Sequence, residues 1–513
     1  LSKSAKSIMF QGTGSDVGKS LLVAGLCRVF ARRGVKVAPF KAQNMSNNAG
    51  VTGDKGEIGR AQILQAIAAG IEPSIHMNPV LLKPQSDKTS QVIVRGKLLA
   101  TMGAAEYQKY RAKLLPVVLK SYHKLAQNAD LILVEGAGSP AEINLRESDI
   151  ANMGFSRAAG VPVVLIGDIE RGGVIASLVG THAVLPDADR AMIKGFMVNK
   201  FRGDAGLFAS GAAEIVQRTG WQDLGLIPHF SELAKLPQED SLALSSVIRH
   251  PSSGDIHIAI LKTPHIANFD DIDPLANAPN VRVSWVSAGE VIPANADLVI
   301  LAGSKSTIAD LEFIKTQGWD IDLQAHVRRG GRVLGICGGY QMLGKTISDP
   351  HGIEGQQGTV AGLGLLDVDT VFSPEKTVSK WSGSFQSIAV QGYEIHLGAT
   401  TGEDASRPLF YTCHPHEGGD LNPLTNKIPA YAGMTTPLGK PEGAISKCWK
   451  IWGTYIHGAF ANDDFRRVFL SPQVACNDEY GYNYHQQIDE ILNRWADILE
   501  ESISIEQLLQ LAE

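Results

Sequence analysis

Gly12-Thr13-Gly14-Ser15-Asp16-Val17-Gly18-Lys19-Ser20 follows a short apolar run near the start of the chain. Glycines between a strand and a helix let backbone N–H groups surround phosphate oxygens, and the helix N-terminus adds its partial positive charge. In such a loop Lys19 reaches the outer phosphates of ATP and the Ser20 hydroxyl ligates Mg²⁺. Five residues separate Gly12 from Gly18 where four is usual, so the loop is stretched by one. A Mg²⁺-nucleotide site also needs carboxylates at strand ends on the same sheet edge. Glu135, in Val134-Glu135-Gly136-Ala137-Gly138, is the first choice, and Asp168, after Val-Val-Leu-Ile-Gly, the second. Asn199, after Gly-Phe-Met-Val, is placed to hydrogen-bond a base edge.

Far downstream, Gly335-Ile336-Cys337-Gly338-Gly339 follows Arg-Val-Leu and reads as a strand–nucleophile–helix elbow. A thiol at such a turn is exposed at a positive helix end, which favours its thiolate, and the flanking glycines permit the strained turn. The N–H of Gly338 is half of an oxyanion hole. The nucleophile needs a base, and His457, in Thr454-Tyr455-Ile456-His457-Gly458 after an apolar strand, is the first choice, with His396 as rival. Cys27, Cys448 and Cys476 lack this context and read as small buried hydrophobes. A triphosphate site activates a poor electrophile, and a cysteine of this kind releases ammonia from glutamine. Together they suggest ATP-driven amidation.

Both motifs need scaffolds to hold them. Ser7–Gln11, Val35–Lys41, Asp130–Glu135, Val161–Asp168, Lys194–Lys200 and Leu224–Pro228 read as short buried strands alternating with helical segments such as Leu21–Arg33. That alternation predicts a parallel sheet covered on both faces. A polar, proline-marked stretch from Pro237 to Asp255 reads as the linker. A second βα series then runs through Ile256–Leu261, Val281–Val286, Leu298–Leu301, Arg332–Ile336 and Ile451–Tyr455. The expected organisation is a first domain over 1–245, a linker over 246–255, a second domain over 256–470 and a helical segment over 471–513. Thr412–Lys440, rich in His, Pro, Gly, Asn and Thr without periodicity, reads as an inserted loop, and its His414-Pro-His416-Glu417 run as solvated rather than metal-binding.

Bulk properties narrow the function classes. Lys+Arg 47 against Asp+Glu 53 gives a net charge of −6, with no basic excess to attract nucleic acid. No apolar stretch approaches the roughly 18–20 residues of a membrane helix. Five scattered cysteines without a C-x-x-C argue against disulfides or a zinc knuckle and for a reducing, cytoplasmic setting.

These residues, in this order, resemble the cobyric acid synthase family, glutamine-hydrolysing amidotransferases of cobalamin synthesis. The likeness covers nearly the whole chain, including Phe40-Lys-Ala-Gln-Asn-Met-Ser-Asn-Asn48, Glu57-Ile-Gly-Arg-Ala-Gln62, Met77-Asn-Pro-Val-Leu-Leu-Lys-Pro84, Asp149-Ile-Ala-Asn-Met153, Gly303-Ser-Lys-Ser-Thr307 and Gly392-Tyr-Glu-Ile-His396. It implies an α/β architecture, with a P-loop, dethiobiotin-synthetase-like parallel-sheet domain followed by a class I glutamine amidotransferase-like domain. It also implies that Ser20, Glu57 and Glu135 hold Mg²⁺, that Gly12, Gly14, Gly18, Lys19 and Asn199 bind ATP, and that Gly303, Gly338 and Gln341 serve glutamine. The substrate implied is a corrinoid, adenosylcobyrinic acid a,c-diamide, amidated through an acyl phosphate, with Asp149 as the group orienting its carboxylate. Related glutaminases carry an acid two residues after the histidine. That position is Ala459, so a Cys337–His457 pair without the acid is implied. Ala302 stands where relatives often carry proline, and the 412–440 insertion exceeds the family's usual connection. A homo-oligomer is compatible with the family. The sister a,c-diamide synthase typically has Gly-Leu-Tyr-Asp-Gly after its Val-Glu-Gly, where this chain reads Ala137-Gly-Ser-Pro-Ala-Glu142. A P-loop switch protein with a non-catalytic cysteine domain predicts no glutamine hydrolysis. A glutaminase with a vestigial nucleotide domain predicts a decayed Gly18-Lys19-Ser20.

Overall fold

In the first unit six parallel strands lie in the order Gln222–Pro228, Ile193–Phe201, Val163–Asp168, Lys6–Gly12, Leu131–Glu135 and Val37–Lys41. The computed structural model describes residues 5–85, 88–239, 256–412, 439–470 and 482–512, divided between two compact units, Leu1–Asp240 with His485–Glu513, and Ser241–Tyr484. The central strands are buried along their whole length because helices cover both faces, which is why they read as unbroken apolar runs. Lys6–Gly12 sits where the strand order reverses, so the loop leaving Gly12 opens into the crevice at the carboxyl edge.

The helix Lys19–Arg32 buries Leu22, Leu26, Val29 and Phe30. Its Gly25 is needed for close approach: a Cβ there would lie 2.4 Å from Trp495 Cδ1 and 2.5 Å from Leu499 Cδ1. Both belong to the helix Tyr484–Ser502, whose Ile488, Ile491, Leu492, Trp495 and Leu499 are buried, so the terminal helical segment is part of the first unit. Trp495 Nε1 donates to Leu21 O at 2.8 Å, its ring stacks on Phe230, and Arg28–Asp489 and Arg33–Glu500 ion pairs flank it. Trp495→Ala is therefore expected to destabilise this unit by about 3–5 kcal/mol through cavity formation. The check is urea unfolding of the full chain, read as a lowered midpoint of the transition that carries nucleotide-site signals.

The second unit contains the sheet Val281–Val286, Ile256–Leu261, Leu298–Leu301, Arg332–Ile336, Ile451–Thr454 and Ala444–Ile445, parallel except at the last edge. Two features stand outside the sequence expectation. Gln43–Met45, Val80–Pro84, Thr89–Val94 and Lys97–Gly103 make a small four-stranded sheet in the first unit. In the second, Asp369–Phe385 and Ile388–Thr401 form a long antiparallel hairpin. Its two-residue turn is Gln386-Ser387, with Gln386 at φ 53°, so the usual Asn-Gly signal is missing.

Phe410–Thr412 pairs with Pro441–Glu442, and Thr412 N donates to Lys440 O, so the ends of the insertion are stitched together. Most of the insertion, with Cys413 and His414–Glu417, lies outside the described residues, as do Cys476 and the linker over 246–255. Cys27 is buried as expected, but Cys448 is exposed, because the Ser446–Lys450 turn carries it to the surface. Among the described residues no helix is long and apolar enough to cross a membrane.

Candidate active sites

Gly12 ends its strand so tightly that a Cβ would stand 2.6 Å from Val17 Cγ2 and 2.8 Å from Gly14 O, and Gly18 turns the chain into the helix at φ 91°. Within this cradle Lys19 Nζ donates to Gly14 O at 3.0 Å and Gly138 O at 3.4 Å. Burial, and then Lys41, lower the Lys19 pKa from its ordinary value. Ser20 Oγ lies 2.7 Å from Glu135 Oε1 and 2.8 Å from Glu239 Oε2. Lys41 Nζ bridges the same carboxylates, at 2.8 Å from Glu135 Oε1 and 3.0 Å from Glu239 Oε1. Burial opposes the charge on Lys41, but Glu135 and Glu239 outweigh it and hold the ammonium. Gln65 Nε2 donates to Glu135 Oε2 at 2.7 Å, while its own Oε1 is buried without a partner among the described residues.

A hydroxyl, two carboxylates and two lysines around a glycine cradle fit a hard oxygen-seeking cation and the phosphates it accompanies. Among the described residues no three His, Cys, Asp or Glu side chains gather as a self-sufficient metal cage. A cation held here would need further oxygen ligands from phosphate and water.

The other sequence candidates of this unit are engaged differently. Glu57 pairs with Lys83 at 3.1 Å, both side chains 1% exposed, and the second carboxylate on Ser20 is instead Glu239. Asn199 Nδ2 donates to Val17 O at 2.9 Å, clamping the phosphate loop from the strand Ile193–Phe201, two places from Lys6–Gly12 in the sheet. Asp168 pairs with Lys200 at 2.9 Å. Asp149 was expected to orient substrate, but its carboxylate accepts from the backbone N–H groups of Ala151, Asn152 and Gly154 at 2.8–3.0 Å. Both oxygens hold the turn leading into Met153–Ala159, so Asp149 clamps backbone there. Lys41 and Glu239 were missed. Lys41 ends a strand at the functional edge, a position that sequence can flag, whereas Glu239 lies in the polar stretch read as linker.

In the second unit Cys337 sits between the strand Arg332–Ile336 and the helix Gly338–Leu343 at φ 53°, ψ −109°, a strained conformation for a residue with a Cβ. Its N–H donates to Thr454 O at 2.8 Å, tying the elbow to the strand that leads to His457. The glycines are steric necessities. A Cβ on Gly339 would lie 1.9 Å from Leu301 O, and one on Gly338 would lie 2.9 Å from Ser304 N. Since Leu301 O is backbone and cannot swing away, Gly339→Ala is expected to collapse the elbow. The check is loss of Cys337 labelling by a glutamine-analogue alkylator in the purified variant.

Cys337 and the buried His457 interact through their side chains, while the thiol also donates to Ile395 O at 3.4 Å. Gly303, in the short strand Gly303–Ser304 paired with Ile266–Ala267, lies beside the imidazole; its Cβ would stand 3.4 Å from His457 Cε1. Gln341 is buried, with Nε2 donating to Leu397 O at 2.9 Å and Oε1 accepting from Thr307. The rival base, His396, stacks on Tyr455 at 3.8 Å, and burial lowers its pKa to about 4. That leaves His457 as the ring on the thiol. Ala459 supplies no carboxylate, as its residue type requires, yet an acid from elsewhere meets the ring: His457 Nδ1 lies 2.7 Å from Asp271 Oδ2. Asp271 belongs to the one-turn segment Phe269–Ile272, far upstream, and the only sequence signal was an Asp-Asp pair in a βα loop. Burial disfavours the charged imidazole, but Asp271 and Cys337 outweigh it and raise its pKa to about 10.

A P-loop crevice and a cysteine elbow with its histidine define the class of nucleotide-binding glutamine amidotransferases. The chain matches the CobQ/CobB/MinD/ParA nucleotide binding domain over residues 8–243 and the CobB/CobQ-like glutamine amidotransferase domain over residues 257–465. It is 55% identical over 512 residues to a cobyric acid synthase of Methylobacterium nodulans, covering 99% of each chain. Cobyric acid synthases of Methylorubrum populi and Paracoccus denitrificans are each 53% identical, again over 99% of both chains. The chain belongs to the cobyric acid synthase family, whose members are glutamine-dependent amidating ligases.

Proposed function

We propose that this chain uses ATP and glutamine to amidate the b, d, e and g propionate carboxylates of adenosylcobyrinic acid a,c-diamide, giving adenosylcobyric acid in the cytoplasm. The observation that carries this reading is the presence, in one chain similar end to end to cobyric acid synthases, of a phosphate cradle at Lys19–Ser20 and a thiol–imidazole site at Cys337–His457.

A carboxylate resists attack by ammonia until it is converted to an acyl phosphate. The N–H groups of Gly12, Gly14 and Gly18, with Lys19, receive the ATP phosphates and stabilise the transferring phosphoryl group. Ser20 and Glu135, joined by Glu239 and, once released from Lys83, by Glu57, would hold Mg²⁺, which supplies charge neutralisation at the phosphates when bound. Asn199, whose Nδ2 holds Val17 O, would contact the adenine base from beside the loop. At the second site the Cys337 thiolate attacks the glutamine amide, the N–H groups of Gly303 and Gly338 stabilise the oxyanion, and Gln341 helps hold the substrate. The His457 imidazolium protonates the departing ammonia, and water then releases glutamate from the thioester.

The test is mass spectrometry of adenosylcobyrinic acid a,c-diamide incubated with the protein, Mg-ATP and glutamine. Stepwise exchange of carboxylate for amide is the expected result. Glutamine hydrolysis with no change in the corrinoid would overturn the acceptor assignment.

A further inference from the structure

We infer that Asp271 is the positioning carboxylate of the cysteine site, orienting His457 through Nδ1 and balancing the imidazolium that the Cys337 thiolate requires. The inference rests on the glutaminase reading above and adds to it a residue that the acid position after the histidine, Ala459, does not supply.

A carboxylate only accepts hydrogen bonds, so the 2.7 Å contact assigns a proton to Nδ1 and turns Nε2 towards the thiol side of the ring. The second oxygen, Oδ1, accepts from Gly458 N at 2.6 Å. Asp271 thus grips the histidine and the backbone of the next residue together, and a buried acid held at two points cannot follow the ring if it rotates. The side-chain amide of Asn268, one turn earlier, lies 3.3 Å from Nε2, and Tyr393 stacks on the ring face. The same upstream segment pairs through Ile266–Ala267 with Gly303–Ser304, so the imidazole and an oxyanion donor share one support.

The other titratable groups facing His457 are Cys337, Glu394 and His396. Burial raises the Glu394 pKa, and its carboxyl accepts from Ser379. His396 is uncharged near neutrality. Asp271 is therefore the carboxylate that meets the ring directly. Its charge favours the state in which the Cys337 proton resides on Nε2, leaving a thiolate. When the thiolate forms its bond to the amide carbon and the C–N bond breaks, that proton leaves with the ammonia. His457 then takes a proton from the water that cleaves the thioester.

A merely structural Asp271 would act through the Gly458 bond alone. Asp271→Asn separates the roles, because the amide oxygen can still accept from Gly458 while the negative charge at Nδ1 is gone. The expected result is a fall in kcat for glutamine hydrolysis of roughly 10²- to 10⁴-fold with KM little changed. Iodoacetamide alkylation of Cys337, which needs no substrate, should show its rate increase displaced to higher pH. Unchanged hydrolysis and an unchanged alkylation profile would overturn the inference. If wild-type protein hydrolyses no glutamine but the alkylation profile still shifts, the glutaminase reading falls and the positioning role stands. A second measurement does not depend on the variant folding: ¹⁵N-histidine spectra of the wild-type protein should show a His457 Nδ1–H proton far downfield, lost on titration of the pair. A His457 signal with an unprotonated Nδ1 near neutrality would equally overturn the inference.

Discussion

Cys337→Ala is expected to abolish glutamine-dependent amidation while ammonium salts still drive it. Alanine keeps the Cβ in the same strained turn and preserves the N–H bond to Thr454 O, so the elbow retains its shape. What is lost is the sulfur, without which no thioester forms and His457 has no proton to pass on. A loss of at least about 10⁴-fold in glutaminase kcat follows from removing the nucleophile of a unit whose members act together. Mass spectrometry of the corrinoid with glutamine or with ammonium as nitrogen source reads both halves at once. Failure of ammonium to rescue, in a variant whose thermal unfolding matches wild type, would mean that the cysteine serves more than nitrogen release.

The second large effect concerns the other unit. Lys19→Met should suppress amidation with either nitrogen source by roughly 10²- to 10³-fold, the cost of removing one preorganised donor from a phosphoryl-transfer site. Lys19 is nearly buried and anchored on the carbonyls of Gly14 and Gly138, so a flexible apolar side chain of similar length fills its space. Glutamine hydrolysis assayed alone should persist, since Cys337 and His457 lie in the other unit. Wild-type amidation with ammonium would remove Lys19 from the proposed chemistry. The two variants give opposite patterns, one rescued by ammonium and one not, which no single-site enzyme reproduces.

Much of this architecture was legible in residue order. Ile256–Leu261, Val281–Val286, Leu298–Leu301 and Arg332–Ile336 form as read, because buried parallel strands are written as continuous apolar runs. The hairpin of Asp369–Phe385 and Ile388–Thr401 was not legible. Its faces mix polar and apolar residues, and its turn carries none of the residues that usually mark one. Among site residues, Lys19, Ser20, Glu135, Cys337 and His457 were named from strand-end position and glycine context, and the structure brings Ser20 to Glu135 and Cys337 to His457. Glu57, Asn199 and Asp149 were named too, yet the structure engages each with a different partner: Lys83, Val17 O and three backbone N–H groups.

Residue order by itself determined the two chemistries and the turns that display them. A phosphate loop or a nucleophile elbow is built within a few consecutive residues, whose glycines answer local steric demands. Tertiary structure decided who completes each site. Glu239 reaches Ser20 across 219 positions, Asp271 reaches His457 across 186, and Trp495 seals the phosphate-loop helix across 474. Sequence spacing carries no distance information over such separations. Their meeting depends on the order in which strands enter each sheet and on which polar group finds a partner when water is removed.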